Sequence, residues 1–279
     1  IGATRAEAQT FRNFIGRATP VEFGVSIGWR DDSLLWVMAN YRNTFSSSTT
    51  VPALMKLNKS GSVTLARQFT LPSAGSASSV AGDDIVNTDG VSVGSVILIN
   101  QGSSMYVVRC NNNGVVVWAR QLSNAAFVSN FGLRIKTVYN NTNSLNGFFI
   151  LATHFSGQGE MVIKLNGNGT TAWQRRITHS TSGSKFVFRD LQVTPDRGCI
   201  VTGYQESNTS NPVLFKFTAA GAVTFGRSSD FFNSLYSGGF GATVTPTGYV
   251  VTGSETGGAN LTFSTNTSGT VNWAYKYNS

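Results

Sequence analysis

The sequence predicts an all-β fold: a five-bladed β-propeller of four-stranded antiparallel blades, preceded by a short N-terminal arm. Three observations predict it. A hairpin pattern recurs five times, two more strand-like stretches precede each hairpin, and the composition favours turns over helices. Of the 279 residues, 86 are Asn, Ser or Thr and 30 are Gly, so polar turn formers punctuate the chain. Only 12% are charged, yet 41% are hydrophobic and 11% aromatic, which excludes a disordered chain. Glu, Lys, Ala and Leu do not dominate, so long helices are not expected. No apolar run approaches the length that a transmembrane helix needs.

The arm comprises residues 1–20. Arg5 to Ile15 have the pattern of one short helix, with Phe11, Phe14 and Ile15 on one side and Gly16 and Pro20 to end it. A short helix is marginal alone in water, so the arm either packs on the propeller or docks into a larger assembly. The propeller follows over 21–279, with blades at approximately 21–72, 73–124, 125–179, 180–231 and 232–279. Each blade opens with two strand-like stretches: 23–29 and 34–39, 85–87 and 93–100, 131–139 and 148–154, 186–194 and 199–204, 240–245 and 249–253. The linking turns carry signals such as Thr194-Pro195-Asp196-Arg197-Gly198 and Thr245-Pro246-Thr247-Gly248.

The hairpin that completes each blade is the strongest signal. Leu57-Asn58-Lys59-Ser60-Gly61-Ser62-Val63-Thr64-Leu65-Ala66-Arg67 aligns with Cys110 to Arg120, where Gly114 and Trp118 hold the places of Gly61 and Leu65. Further copies centre on Gly169 with Trp173, Gly221 with Phe225, and Gly269 with Trp273. The five glycines lie 53, 55, 52 and 48 residues apart. Such a period of about fifty residues marks a repeat architecture. Each glycine supplies a positive φ in a tight turn. Four residues later comes the large apolar residue (Leu65, Trp118, Trp173, Phe225 or Trp273), expected to be mostly buried. The other hairpin face is also apolar, through Met55, Val108, Ile163, Phe215 and Phe263. Both faces must therefore be covered, and stacked blades cover them.

The Gly-x-Val-x-Trp spacing resembles the repeat of quinoprotein-type propellers and of related bacterial and phage propeller repeats. In that family the tryptophan packs between blades. The resemblance covers the hairpins only. Quinoprotein dehydrogenases also carry an adjacent cysteine pair beside their cofactor. Cys110 and Cys199 are 89 residues apart, so the resemblance implies neither a cofactor nor catalytic residues here. The two thiols fall in blades two and four, which are not neighbours, and are expected to be free and buried.

The formal charge of +8 concentrates in the repeat. Lys56, Arg109, Lys164 and Lys216 stand five residues before the turn glycine, and Arg67, Arg120, Arg175 and Arg227 stand six after it. These eight equal the entire excess of basic over acidic residues. The two series are expected nearly opposite each other on one face of each hairpin, with stems along the apolar residue and heads in water. This basic rim is the candidate binding surface, suited to an acidic protein or an anionic surface glycan. No aromatic-interleaved basic groove accompanies it, so nucleic acid is not expected as a partner. The fifth blade has Ser264 and Tyr275 at these positions, which breaks the ring and marks that blade, with the arm, as the assembly surface.

Candidate chemistry is sparse. A glycosidase needs two carboxyl groups at a set separation, and Asp83, Asp84 and Asp190 fall on channel-lining first strands, with Asp31 and Asp32 in a turn. The competing reading has solvated turn aspartates, with Asp190 paired to Arg189 or Arg134. His154 and His179 lack the spaced partners of a metal motif. No nucleophile elbow or phosphate loop occurs. No signal peptide is visible. The expectation is a non-enzymatic structural or attachment protein, a tail- or capsid-associated virion component at a virion or cell surface. The alternatives are a lectin-like propeller and a five-bladed glycoside hydrolase. No cofactor and no catalytic or metal residues are expected.

Overall fold

The computed structural model describes residues 22–31, 34–41, 50–58, 60, 62–71, 77–101, 104–122, 130–154, 159–180, 184–206, 211–228, 237–255 and 259–277. The predicted arm, residues 1–20, lies outside them, as do Asp32, Lys59 and Gly61. The described chain forms five four-stranded antiparallel sheets, each with its strands in sequence order. Blade 1 holds β1 (Glu22–Asp31), β2 (Leu34–Tyr41), β3 (Val51–Asn58) and β4 (Val63–Gln68). Blade 2 holds β5 (Ala77–Val86), β6 (Ser92–Gln101), β7 (Ser104–Asn111) and β8 (Val116–Leu122). Blade 3 holds β9 (Asn130–Tyr139), β10 (Leu145–His154), β11 (Glu160–Asn166) and β12 (Thr171–Ile177). Blade 4 holds β13 (Lys185–Val193), β14 (Cys199–Glu206), β15 (Asn211–Phe217) and β16 (Val223–Ser228). Blade 5 holds β17 (Ser237–Thr245), β18 (Gly248–Glu255), β19 (Asn260–Asn266) and β20 (Val271–Tyr277). No helix among the described residues is long and apolar enough to cross a membrane.

The first strand of blade 2 corrects the sequence reading. It runs from Ala77 to Val86 rather than over 85–87, and Asn87 already belongs to the turn. Its Ser, Gly and Asp content hides it from hydrophobic periodicity.

The turns explain why the hairpins fold. In the turn after β7, Asn111 Oδ1 accepts the N–H groups of Asn113 and Val115, at 2.9 and 3.0 Å. The backbone closes the same loop, with Gly114 N–H donating to Asn111 O. Asn58 and Asn266 each hold their own turn in the same way. These Asn side chains replace a backbone partner and make the reversal local. The turn glycine takes φ of +68°, +84°, +83° and +79° at Gly114, Gly169, Gly221 and Gly269. The register then slips by one residue, in all five hairpins, just past the residue that faces the large apolar group. That slip is the bulge that follows such a turn.

The core lies between blades. Among the described residues, one apolar cluster joins each consecutive pair: Met38 and Leu54 with Ile97 and Val108, Val107 with Phe148 and Ile163, Val162 with Phe188 and Val201, and Leu214 with Val251 and Phe263. A blade has apolar side chains on both faces because both faces are junctions.

Candidate functional site

Each junction repeats one contact. The large residue of the outer strand lies on the turn glycine of the next blade. A Cβ on Gly114 would stand 2.7 Å from Leu65, on Gly169 3.0 Å from the Trp118 ring, on Gly221 2.7 Å from Trp173 and on Gly269 2.5 Å from Phe225. Hence glycine serves twice, for its dihedral and for the close approach of a ring. Trp118 Nε1 donates to Gly167 O at 3.1 Å, and Trp173 Nε1 donates to Ala219 O at 2.9 Å. The expectation of mostly buried positions holds for Phe225, which is buried, and for Leu65, Trp118 and Trp173, which pack against the junction cores, but not for Trp273. Leu65, Trp118 and Trp173 are half-buried, and Trp273 is 40% exposed. They cap the junction at the propeller's outside instead of filling its centre.

The basic series divides into two populations. The cation before the turn directly faces the apolar residue: Lys56 opposite Leu65, Arg109 opposite Trp118, Lys164 opposite Trp173 and Lys216 opposite Phe225. The arginine of the second series sits two residues further along the strand, so the two series are offset and not opposed as the sequence suggests. Lys56 Nζ donates to Asn112 Oδ1 at 2.7 Å, and Arg109 Nη1 donates to Gly167 O at 3.3 Å, each reaching the next blade's turn.

Lys164 and Lys216 depart from the expected rim, because their heads are buried. Lys216 Nζ donates to Thr194 Oγ1 at 2.6 Å and to both Asp196 oxygens at 2.6 and 2.8 Å. Burial pushes the Asp196 carboxyl upward, but the hydrogen bonds from Lys216 and Thr194 outweigh it and hold the group below its usual value. Lys164 Nζ has no hydrogen-bond partner among the described residues and stands 4.5 Å from the centre of the Phe149 ring. Burial drops its pKa to about 8. Arg67, Arg120, Arg175 and Arg227 are exposed. Arg175 Nε donates to Gly221 O at 2.9 Å, while the Arg120 stem packs on the Gly169 turn.

Two of the acidic candidates tie consecutive blades together. Asp83 Oδ2 accepts the N–H and Oγ1–H of Thr137 in the next blade, both at 2.7 Å. Asp190 Oδ2 accepts Ala242 N–H of its next blade at 2.9 Å and Gln192 Nε2 at 3.0 Å. Each aspartate stands four residues ahead of its turn and accepts a backbone N–H from the first strand of the next blade, β9 or β17. Arg134 is the cation beside Asp190, at 3.4 Å, as one of the two sequence readings had it. Arg189 instead lies over the Tyr204 ring. Asp84 is buried and accepts Ser92 Oγ at 2.6 Å. Asp31 ends β1, and its side chain lies outside the described residues. The side chain of His154 does too, and His179 is tilted against Phe186 at 5.1 Å. Among the described residues no three His, Cys, Asp or Glu side chains gather as metal ligands. Cys110 and Cys199 are free and buried, in the cores of the first and third junctions. Burial pushes the Cys110 thiol up to about 12 and Cys199 further still.

Two features escaped sequence reasoning. Glu160 is buried at the start of β11 and accepts Thr153 Oγ1 at 3.0 Å. Burial raises its pKa to about 7, against the opposing pull of hydrogen bonds from Thr153 and Phe188 and of nearby Arg189 and Lys185. The second is the outer face of blade 5, where Trp273, Tyr275 and Tyr277 are 40, 57 and 56% exposed. Their rings follow one another at 5.3 and 6.5 Å between centres. The pattern Trp-x-Tyr-x-Tyr, in place of apolar-x-Arg-x-apolar, was its signal.

No protein-family model matches the sequence, and no curated protein matches it. Solved structures do. The Dos1 propeller superposes with a TM-score of 0.58 at 11% identity, over 92% of this chain and 75% of that one. The C-terminal domain of Pseudomonas aeruginosa PilY1 gives a TM-score of 0.49 at 9% identity, over 90% of this chain and 71% of that one. At such identities the likeness is one of fold, and that fold is the β-propeller.

Proposed function

We propose that the chain is a non-enzymatic structural or attachment component, a tail- or capsid-associated protein of a bacteriophage virion that presents its propeller for assembly or for binding at a host surface. The observation that carries this reading is the use made of the inner carboxylates. Asp83 and Asp190 each hold a next-blade backbone N–H through Oδ2 and face a cation, Lys136 or Arg134, with Oδ1, a structural task for the carboxylates a glycosidase would need. Side chains suited to partners lie outside instead, on the exposed arginines 67, 120, 175 and 227 and on the aromatic face of blade 5. The arginines suit an acidic partner; at the surface they act on encounter more than on affinity.

The test is incorporation. A chain lacking residues 1–20 is purified, its melting compared with the full chain, and its entry into the parent particle measured. Normal melting with lost incorporation supports an attachment component docked by the arm. Lost melting cooperativity would make the arm a closure of the propeller, and glycoside hydrolysis by the full chain would refute the non-enzymatic reading.

A further inference from the structure

Blade 2 exposes three consecutive valines where its outer hairpin turns into β8. Val115, Val116 and Val117 are 54, 46 and 53% exposed. Val91 and Val93 are exposed at the same end of the blade, since Gly94 pairs with Asn111 and sets the start of β6 beside the end of β7. The repeat does not require these side chains. The places of Val115 and Val117 are held by Ser62 and Thr64 in blade 1, Thr170 and Ala172 in blade 3, Ala222 and Thr224 in blade 4, and Thr270 and Asn272 in blade 5. Blade 2 puts branched apolar groups where its siblings put polar or small ones. A contiguous exposed apolar patch of this kind marks an interaction site.

The shape of the patch selects what covers it. β8 is the last strand of its sheet, so one side of its backbone pairs with β7 and the other is a sheet edge. Successive residues of a strand point to opposite faces, which puts Val115 and Val117 on one face of the blade and Val116 on the other. The patch therefore wraps the edge. A helix or a flat surface laid on one face would leave the other uncovered. An extended strand beside β8 reaches both, through its own alternating side chains. Charge then selects the composition of that strand. The outer hairpins of blades 1 and 2, residues 51–68 and 104–122, contain Lys56, Lys59, Arg67, Arg109 and Arg120 and no Asp or Glu. The Arg67 stem reaches across from blade 1 to the Gly114 turn, 2.9 Å from where a Cβ would stand, and Arg120 is exposed on β8 itself. A second copy of the chain would set these cations against their own kind, whereas an acidic strand neutralises them.

We infer that the β8 edge takes an extended acidic segment of a partner protein as a fifth strand of blade 2, with apolar residues beside the valines and carboxylates toward Arg67 and Arg120. Main-chain hydrogen bonds along the edge supply affinity, and the valines and cations supply specificity. The inference rests on the attachment reading and gives its acidic partner a conformation and a place to bind.

Fluorescence anisotropy of a labelled peptide of alternating Glu and Val, titrated with the full chain, tests it. Two control peptides have the same length: one of Lys and Val, and a Glu/Val copy N-methylated on alternate amides, which cannot pair with an edge. The Glu/Val peptide is expected to bind about tenfold or more tightly than either control. Its binding should weaken as salt rises and should slow amide exchange in β8. V117E, changed at an exposed site, should keep the wild-type melting curve and lose about tenfold in affinity. V115S/V117T, which installs the residues of blade 1, should lose binding too, and decides the matter if V117E does not fold. Absence of Glu/Val binding, equal binding of either control, or binding that survives both variants overturns the inference. Self-association of the chain that V117E abolishes would give the edge to a second copy and overturns it as well. A chain that enters its particle but binds no Glu/Val peptide overturns the β8 edge alone, whereas one that binds the peptide and stays out of the particle overturns the attachment role alone.

Discussion

Replacing Lys164 by Met should stabilise this protein, although it removes a charged residue from a repeated basic position. Lys164 is 5% exposed, faces Trp173 across the hairpin, and among the described residues has the face of Phe149 and no hydrogen-bond acceptor against its ammonium. The pKa falls from 10.5 to about 8 on folding. At about 1.4 kcal/mol per pH unit, the charged form costs the fold about 3 kcal/mol. The sign follows from proton uptake. Below about pH 8 both states are protonated and the cost is complete; between about 8 and 10.5 the unfolded chain holds the extra proton, so stability rises with pH. Methionine keeps the stem volume and has no head to desolvate. Urea unfolding from pH 6 to 10.5 should therefore show Lys164→Met more stable by about 1–3 kcal/mol at pH 7, with the gap closing as pH rises. Lys216→Met is the control of opposite sign, since it strips Asp196 and Thr194 of their shared donor. A Lys164→Met variant that is destabilised at pH 7, or a gap that does not change with pH, would refute the reasoning.

Glu160 makes the converse case. With its pKa raised from 4.5 to about 7, its ionisation costs stability as pH climbs through that window, so Glu160→Gln should gain up to about 3 kcal/mol at pH 8 and nothing at pH 4, read by the same titration. Gly169→Ala should cost about 1–3 kcal/mol in urea unfolding, because φ is +84° and the new methyl meets the Trp118 ring; an unchanged midpoint would mean that ring and turn are not in contact. Cys110 and Cys199, buried and held protonated, should resist a thiol-specific reagent in the native state and both react in urea; rapid native labelling would show a junction core that opens.

The architecture was legible because the repeat states it five times: glycine, a large apolar residue four later, and alternating strands before them. The turns were legible for the same reason, as Asn111 and Asn58 announce them. Burial was not. Lys164 and Lys216 occupy the repeat position of Lys56 and Arg109, yet their heads are covered by Phe149 and by the β13–β14 turn, neighbours that only the assembled blade brings near. Asp83 and Asp190 read as possible catalytic carboxylates because their partners, Thr137 N–H and Ala242 N–H, are backbone groups more than fifty residues away. Tyr275 was visible as a break in the basic series, but that Tyr277 extends it into an exposed face depends on what the next blade does not cover.

The central claim is that four junctions among the described residues are each closed by an outer-strand residue on the turn glycine of the following blade, while Trp273, Tyr275 and Tyr277 are exposed on the outer face of blade 5. Hydroxyl-radical footprinting of the dilute chain, read residue by residue by mass spectrometry, tests it most directly. The account predicts that Trp273, Tyr275 and Tyr277 are oxidised several-fold faster than Trp118, Trp173 and Phe225 once corrected for intrinsic reactivity. Equal protection of Trp273 and Trp173 would show that the outer face of blade 5 is covered like the other four, and would contradict it.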